Sequence, residues 1–104
     1  MHLVKATLLT IITERVMEPT LKALVERAGA LGYTIEDVAT GWGSHGSREG
    51  QLESDQTFKM LLVVPKAVAR VILQDVERTL QRDYAVMAFQ HDIEVMADAA
   101  NSPM

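Results

Sequence analysis

Four segments of the chain have the composition of β-strands. The first runs from Leu3 to Thr13 and is rich in β-branched and aliphatic residues, with no glycine or proline. The others cover residues 33–40, about 56–64 and 84–96. In the last segment the two parities differ, with Ala85, Met87, Phe89, Ile93 and Val95 on one and Gln90, Asp92 and Glu94 on the other. This alternation predicts a strand with two unlike faces.

Two segments show apolar side chains at the three- and four-residue spacing of amphipathic helices. The first helix is expected to begin near Pro19, since a proline in the first turn removes no helical hydrogen bond, and to end at Gly29 and Gly32. The second is expected to begin at Pro65-Lys66. Its apolar face consists of Ala69, Ile72, Leu73, Val76 and Leu80.

The resulting order is β-α-β-β-α-β, which predicts a ferredoxin-like α+β sandwich. Two helices cover only one face of a four-stranded sheet. The first and third strands are nevertheless apolar on both faces, as Leu8-Leu9, Ile11-Ile12 and the run Met60–Val64 show. A strand that is apolar on both sides is buried on both sides, so we expect another copy of the chain to cover the second face.

Composition limits the possible classes of protein. With 104 residues the chain forms a single domain, and 48% hydrophobic and 23% charged residues are typical of a globular one. The net charge of -4 argues against nonspecific binding to nucleic acid. The chain has no cysteine, which excludes disulfides and thiolate metal sites. Neither a secretory signal nor an apolar run of membrane-spanning length is visible, so we expect a soluble, cytoplasmic protein.

The most unusual segment is Thr40–Gly50, which contains four of the six glycines. Successive backbone N–H groups in glycine-rich turns form anion-binding nests, and the forked guanidinium of Arg48 suits a phosphate. The candidate nucleotide- and anion-binding residues here are Thr40, Gly41, Trp42, Gly43, Ser44, His45, Gly46, Ser47 and Arg48. The alternative interpretation is a flexible surface hairpin without a ligand.

The spacing Gly41-x-Gly43-x-x-Gly46 also matches the dinucleotide-binding fingerprint. That fingerprint requires a helix to open at its last glycine. Here Gly50 follows, and then a predicted strand. The context is strand–loop–strand, so a Rossmann site is excluded; no Gly-Lys-Ser/Thr sequence of a Walker loop occurs either.

Fold order and loop together resemble the PII signalling proteins, most closely the PII-like branch associated with carboxysomes and bicarbonate transport. The resemblance spans about residues 3–96. It rests on Gly32-Tyr33-Thr34 before the second strand, on Gly41-x-Gly43-Ser44 with Arg48 in the loop, and on Asp83-Tyr84-Ala85 before the fourth strand.

The resemblance implies a single PII-like domain over residues 1–104, with a T-loop at about 41–55 and a short flexible tail at about 97–104. It implies a homotrimer whose sheets face the three-fold axis, with nucleotides bound between adjacent subunits and a T-loop that contacts a target protein. We add Phe89, Gln90 and His91 of the fourth strand to the candidate nucleotide- and anion-binding residues. For His91 an interface position is more typical than a role as metal ligand.

Departures from the family pattern refine the expected ligand. No tyrosine, the residue modified in uridylylated members, lies between Gly41 and Gln56. The connection Gln81-Arg82-Asp83 lacks the glycines that hold a triphosphate in other members, which favours ADP, AMP or cyclic AMP over ATP. The resemblance adds bicarbonate as a candidate second ligand, and a bicarbonate transporter or carboxysome-related protein as candidate target.

The resemblance implies a non-enzymatic regulator that senses adenine nucleotides and controls inorganic-carbon uptake or fixation. One alternative is a weak nucleotide phosphohydrolase that uses His45 or Glu49 near a metal, although no nucleophile–base pair is evident. Another is a metal-responsive trimer of the same fold, which the missing cysteines and scattered histidines weaken. No metal is firmly implied.

Overall fold

A computed structural model describes residues 1–38 and 56–97. These residues form one antiparallel sheet with strand order β2-β3-β1-β4 and two helices. The elements in chain order are β1 Leu3–Glu14, a 3-10 turn Arg15–Met17, α1 Glu18–Ala28, β2 Thr34–Asp37, β3 Thr57–Val64, α2 Lys66–Thr79 and β4 Val86–Met96. The predicted ferredoxin-like α+β fold is confirmed.

Two strands are shorter than the sequence predicts. β2 ends at Asp37 rather than at Thr40, which lies outside the described residues. β4 begins at Val86 rather than at Tyr84 because the chain is still turning after α2. The backbone N–H groups of Asp83 and Tyr84 both donate to the carbonyl of Leu80, at 3.2 and 3.0 Å, so these residues cannot join the sheet.

The core lies between the helices and one face of the sheet. Alternate residues of β1 and β3 point into it, as the period of two in a strand requires. Its buried members are Leu9, Ile11, Met17, Leu21, Leu24, Val25, Phe58, Met60, Leu62, Val64, Ala69, Ile72, Val76 and Leu80. The predicted apolar faces of both helices are therefore the core faces, with Leu73 and Ala28 packed at the margin.

The end of α1 is set by Gly29. Its φ of 111° lies in the left-handed region, and its N–H donates to the carbonyl of Glu26 at 3.1 Å. The next N–H, that of Ala30, donates to Val25 at 3.0 Å. This ending satisfies the last carbonyls of the helix, and glycine adopts it without strain.

The opposite face of the sheet is what we call the open face. Because paired residues in an antiparallel sheet share a face, its members follow from the register. They are Val4, Ala6, Leu8, Thr10 and Ile12 of β1, Thr34 and Glu36 of β2, Lys59, Leu61 and Val63 of β3, and Met87, Phe89, His91, Ile93 and Val95 of β4. No described helix covers this face, and Met87 remains 61% and Phe89 40% exposed. The predicted two-sided apolar character of β1 and β3 is present in the structure.

A cluster of charges fixes the beginning of α1. Glu18 accepts hydrogen bonds from Lys22 and Arg15, with both N···O distances at 2.9 Å. The hydrogen bond from Lys22, followed by that from Arg15, lowers the pKa of Glu18 below its ordinary value of 4.5. A carboxylate whose pKa is lowered in the folded state stabilises the fold above its unfolded pKa, and this contribution is lost as pH falls through the folded pKa.

We therefore expect Glu18→Gln to destabilise the protein at pH 7 and to have little effect in acid. The difference in unfolding free energy between wild type and variant should shrink as pH falls below about 4.5, because protonated Glu18 resembles glutamine. Urea denaturation at several pH values between 7 and 3 measures it. A difference that stays constant across this range would show that the charge of Glu18 contributes nothing.

Candidate functional site

The three candidate site residues on β4 do not share a face. Phe89 and His91 lie on the open face, where their rings meet edge to face with centroids 5.6 Å apart and an interplanar angle of 82°. Gln90, between them, points to the helix side of the sheet and lines a groove beside α2. Within one chain the three residues therefore serve two different surfaces.

The groove lies between α2 and β4, near the sheet edge that β4 forms, and has a volume of about 520 Å³. Two cations, Lys66 and Arg70, and the carboxylate of Glu77 line it from the helix. The amides of Gln74, Gln81 and Gln90 and the apolar side chains of Leu73, Val76, Val86 and Ala88 complete its lining. An apolar strip with cations and amides suits a ligand that combines a flat ring with an anionic group.

A second groove of about 460 Å³ lies at the beginning of α2, where Lys66 lines both grooves. Lys5 and Lys66 are balanced there by Asp92 and Glu94. The Lys66 ammonium lies 3.4 Å from the Asp92 carboxylate. The second groove has two carboxylates against two lysines, whereas Glu77 is the one carboxylate among the described residues that line the first, so the first groove suits an anion better.

The connection between α2 and β4 is compact and bonded to itself. The N–H of Gln81 donates to the carbonyl of Val76 at 3.1 Å, and those of Asp83 and Tyr84 donate to Leu80. The N–H of Ala85 donates to the carboxylate of Glu14 at 2.8 Å. Four of the five backbone N–H groups of residues 81–85 are thus already used within the protein.

The glycine-rich candidates, Thr40 to Arg48, lie outside the described residues, as does the predicted T-loop. The strand ends on either side of it are described. The N–H of Val38, next to the end of β2, donates to the carbonyl of Thr57 at the start of β3, at 3.4 Å. These two strand ends therefore lie side by side, as the predicted hairpin requires. Among the described atoms, the buried hydroxyl of Thr57 has no hydrogen-bond partner.

The described part of the chain was compared with the patterns of a metal site and of a membrane-crossing helix. Within residues 1–38 and 56–97 no three His, Asp or Glu side chains cluster as metal ligands would. In the same residues, neither helix has the length and apolar character needed to cross a bilayer.

Sequence reasoning missed the groove residues of α2. Arg70 and Gln74 lie off the apolar face of that helix and were not among the candidate site residues. A signal was nevertheless present, because residues 66, 70, 73, 74, 77 and 81 recur at three- and four-residue spacing and form a second stripe beside the core stripe. A mostly polar stripe on a helix that faces the next strand, here β4, indicates a groove wall.

The described residues form a ferredoxin-like α+β sandwich. Its helices lie on one face of the sheet, and no described helix covers the apolar residues of the other face. A sequence profile described as Nitrogen regulatory protein P-II matches residues 6–99. The chain therefore belongs to the PII family. No curated protein matches it.

Several solved structures resemble this chain. A candidate PII-like signalling protein from Thermus thermophilus is 36% identical, with a TM-score of 0.75 over 91% of this chain and 92% of that one. CPII from Thiomonas intermedia, a PII-like protein solved with ADP and bicarbonate, is 32% identical, with a TM-score of 0.79 over 90% and 91%. Another CPII structure, bound to ADP, AMP and bicarbonate, is 27% identical, with a TM-score of 0.79 over 93% and 99%. The resemblance to PII-like proteins is thus confirmed.

Proposed function

We propose that this protein is a cytoplasmic signalling regulator that senses ADP, AMP or cyclic AMP rather than ATP, together with bicarbonate. It acts without catalysis and controls inorganic-carbon uptake or fixation through its glycine-rich loop, with a bicarbonate transporter or carboxysome-related protein as target. Its membership of the PII family supports the signalling role. The CPII structures, which contain ADP, AMP and bicarbonate, support these ligands.

The observation that carries the nucleotide preference is the compact α2–β4 connection. A β- or γ-phosphate needs several free donors, and glycine-rich loops supply them as backbone N–H groups. Here the N–H groups of Gln81, Asp83, Tyr84 and Ala85 all have partners inside the protein. A ligand with fewer phosphates loses less from this shortage than ATP does.

The proposed nucleotide site lies in the α2–β4 groove. An adenine ring would contact the apolar strip at Leu73, Val86 and Ala88, with the amide of Gln90 beside it. Arg70 would face the phosphate, and Lys66, one turn earlier on α2, would join it on leaving its ion pair with Asp92. A groove this open buries only part of a ligand, so we propose that a neighbouring copy closes it with its glycine-rich segment.

The open face supplies the reason for such a neighbour. Members of the PII family are trimers that bind nucleotides. We propose that three open faces pack around the three-fold axis, which places Phe89 and His91 in the subunit interface. Phe89 and His91 would then contact only a nucleotide bound to a neighbouring subunit, whereas Gln90 would contact the nucleotide in the groove of its own subunit.

Calorimetric titration with AMP, ADP, cyclic AMP, ATP and adenosine, each with and without bicarbonate, tests the proposal. We expect AMP, ADP or cyclic AMP to bind more tightly than ATP. Bicarbonate should change the affinity for the nucleotide. Failure of every adenine nucleotide to bind would overturn the proposed function, and tightest binding of ATP would overturn the argument from the α2–β4 connection.

Arg70→Ala should weaken AMP and ADP by up to about fivefold, the equivalent of the roughly 1 kcal/mol that an exposed ion pair contributes. Arg78→Ala is the matched control. Arg78 lies on the same helix, is ion-paired to Asp75 and is not part of the groove lining. Equal affinities of the two variants would place the phosphate elsewhere than at Arg70.

A further inference from the structure

The last residues of β1 hold the start of β4. Thr13 donates its hydroxyl to the carbonyl of Ala85 at 2.8 Å, and the carboxylate of Glu14 accepts the N–H of the same residue at 2.8 Å. Both backbone groups of Ala85 are therefore bonded to side chains of β1. Any movement of the α2–β4 connection at Ala85 must displace Glu14 or break these bonds.

The next residue, Arg15, contacts the strand ends on the other side. Its Nη2 donates to the carboxylate of Asp37, the last residue of β2, and its guanidinium lies over the ring of Phe58, 5.5 Å from the centroid. Its Nη1 donates to Glu18 of α1 at 2.9 Å. Cation–π contact and two carboxylates fix the guanidinium in one position between α1, β2 and β3.

Glu14 and Arg15 therefore connect two parts of the protein that are far apart in sequence. Glu14 also lies opposite Thr57 in the β1–β3 register, next to the Phe58 that Arg15 covers. The Arg15–Asp37 pair is too exposed to contribute much stability, since 79% of the Asp37 side chain is accessible. What the pair provides is a contact, which places the guanidinium of Arg15 beside the last residue of β2.

We propose that Glu14 and Arg15 are positioning residues that couple the α2–β4 connection to the ends of β2 and β3. We call this pair the Glu14–Arg15 link. A ligand that shifts Ala85 then shifts Asp37 and Phe58, and the reverse holds because coupling between sites is reciprocal. The effect of a nucleotide on this coupling rests on the proposed function. The coupling of the strand ends itself does not.

The first test needs no ligand and reads amide hydrogen exchange of single residues by NMR. Asp37→Asn and Arg15→Ala each perturb one end of the link, and the N–H of Ala85 reports from the other. We expect its exchange to become about 2- to 30-fold faster, the range in which such contacts change coupling. Asp37→Asn is the safer variant, since it replaces an exposed side chain of nearly the same shape.

The reverse experiment perturbs Glu14 and reads Val38. Glu14→Gln keeps an acceptor near Ala85 but removes the charge, and exchange of the Val38 N–H, which is bonded to Thr57, should rise. Arg78→Ala is the control for both directions, since its ion pair with Asp75 lies within α2. Melting temperatures should change no more in the link variants than in this control.

The second test compares ADP affinity of wild type, Arg15→Ala, Asp37→Asn and Arg78→Ala by calorimetry. We expect the first two variants to bind ADP about 2- to 30-fold more weakly and the control to match wild type.

If wild type binds no adenine nucleotide, the proposed function fails, but the exchange experiment still decides whether the Glu14–Arg15 link exists. If Ala85 and Val38 exchange at wild-type rates in all link variants, the coupling does not exist. If Arg15→Ala binds ADP with wild-type affinity, the coupling is restricted to the ligand-free protein, and the proposal that it affects nucleotide binding is overturned.

Discussion

Val63→Glu is expected to convert the assembled protein into single chains. Val63 lies in β3 near the middle of the open face, directly opposite Leu8 of the neighbouring strand. In a trimer built on this face, each copy would place one carboxylate in an apolar interface. Burying an unpaired charge costs several kcal/mol per ion, which is enough to dissociate the assembly.

Light scattering at micromolar concentration distinguishes the states, since wild type should have three times the mass of one chain. Val71→Glu is the matched control. It makes the same substitution on α2, at a valine that is 43% exposed and lies outside the open face. A variant Val63→Glu that remains trimeric would show that the open face is not the interface, and a wild type that stays monomeric would contradict the whole assembly.

Arg48→Ala is expected to weaken AMP binding by about ten- to a hundredfold. This range corresponds to roughly 1.5–3 kcal/mol, the value of a hydrogen bond to a charged group. Arg48→Lys should restore only part of the affinity, because an ammonium cannot offer two parallel donors to a phosphate. The prediction comes from the sequence, since Arg48 lies outside the described residues.

Adenosine, which lacks the phosphate, is the control ligand for Arg48. It should bind wild type and Arg48→Ala with the same dissociation constant. If the substitution weakens adenosine as much as AMP, Arg48 shapes the pocket and does not hold the anion. Thermal unfolding without ligand should be nearly unchanged, since a loop arginine contributes little to the fold.

The strands and helices could be predicted because their signals are local. Apolar spacing located α1 and α2, and Gly29 marked the end of α1 correctly. The sequence placed the start of β4 at Tyr84, two residues too early. The N–H groups of Asp83 and Tyr84 both bond to the carbonyl of Leu80, and residue types alone do not reveal that turn.

The candidate site was harder to predict because its contacts are distant in sequence. Gln90, a candidate ligand-binding residue, lines the groove, whereas Phe89 and His91 were grouped with it although the strand turns them to the opposite face. Arg15 was not chosen at all. Its partner Asp37 is 22 positions away, and Thr13 and Ala85 are separated by 72. Only the register of the sheet brings such residues together.

The position of β4 at one edge of the sheet has a consequence for chains that have not found partners. Its first residues, Val86 to Phe89, are all apolar and carry no charge, whereas Asp92 and Glu94 follow only later in the strand. An uncharged strand edge with unpaired backbone groups is a template for aggregation. Among the described residues no strand pairs with this edge of β4, so a copy that has not assembled can pair there with the wrong chain.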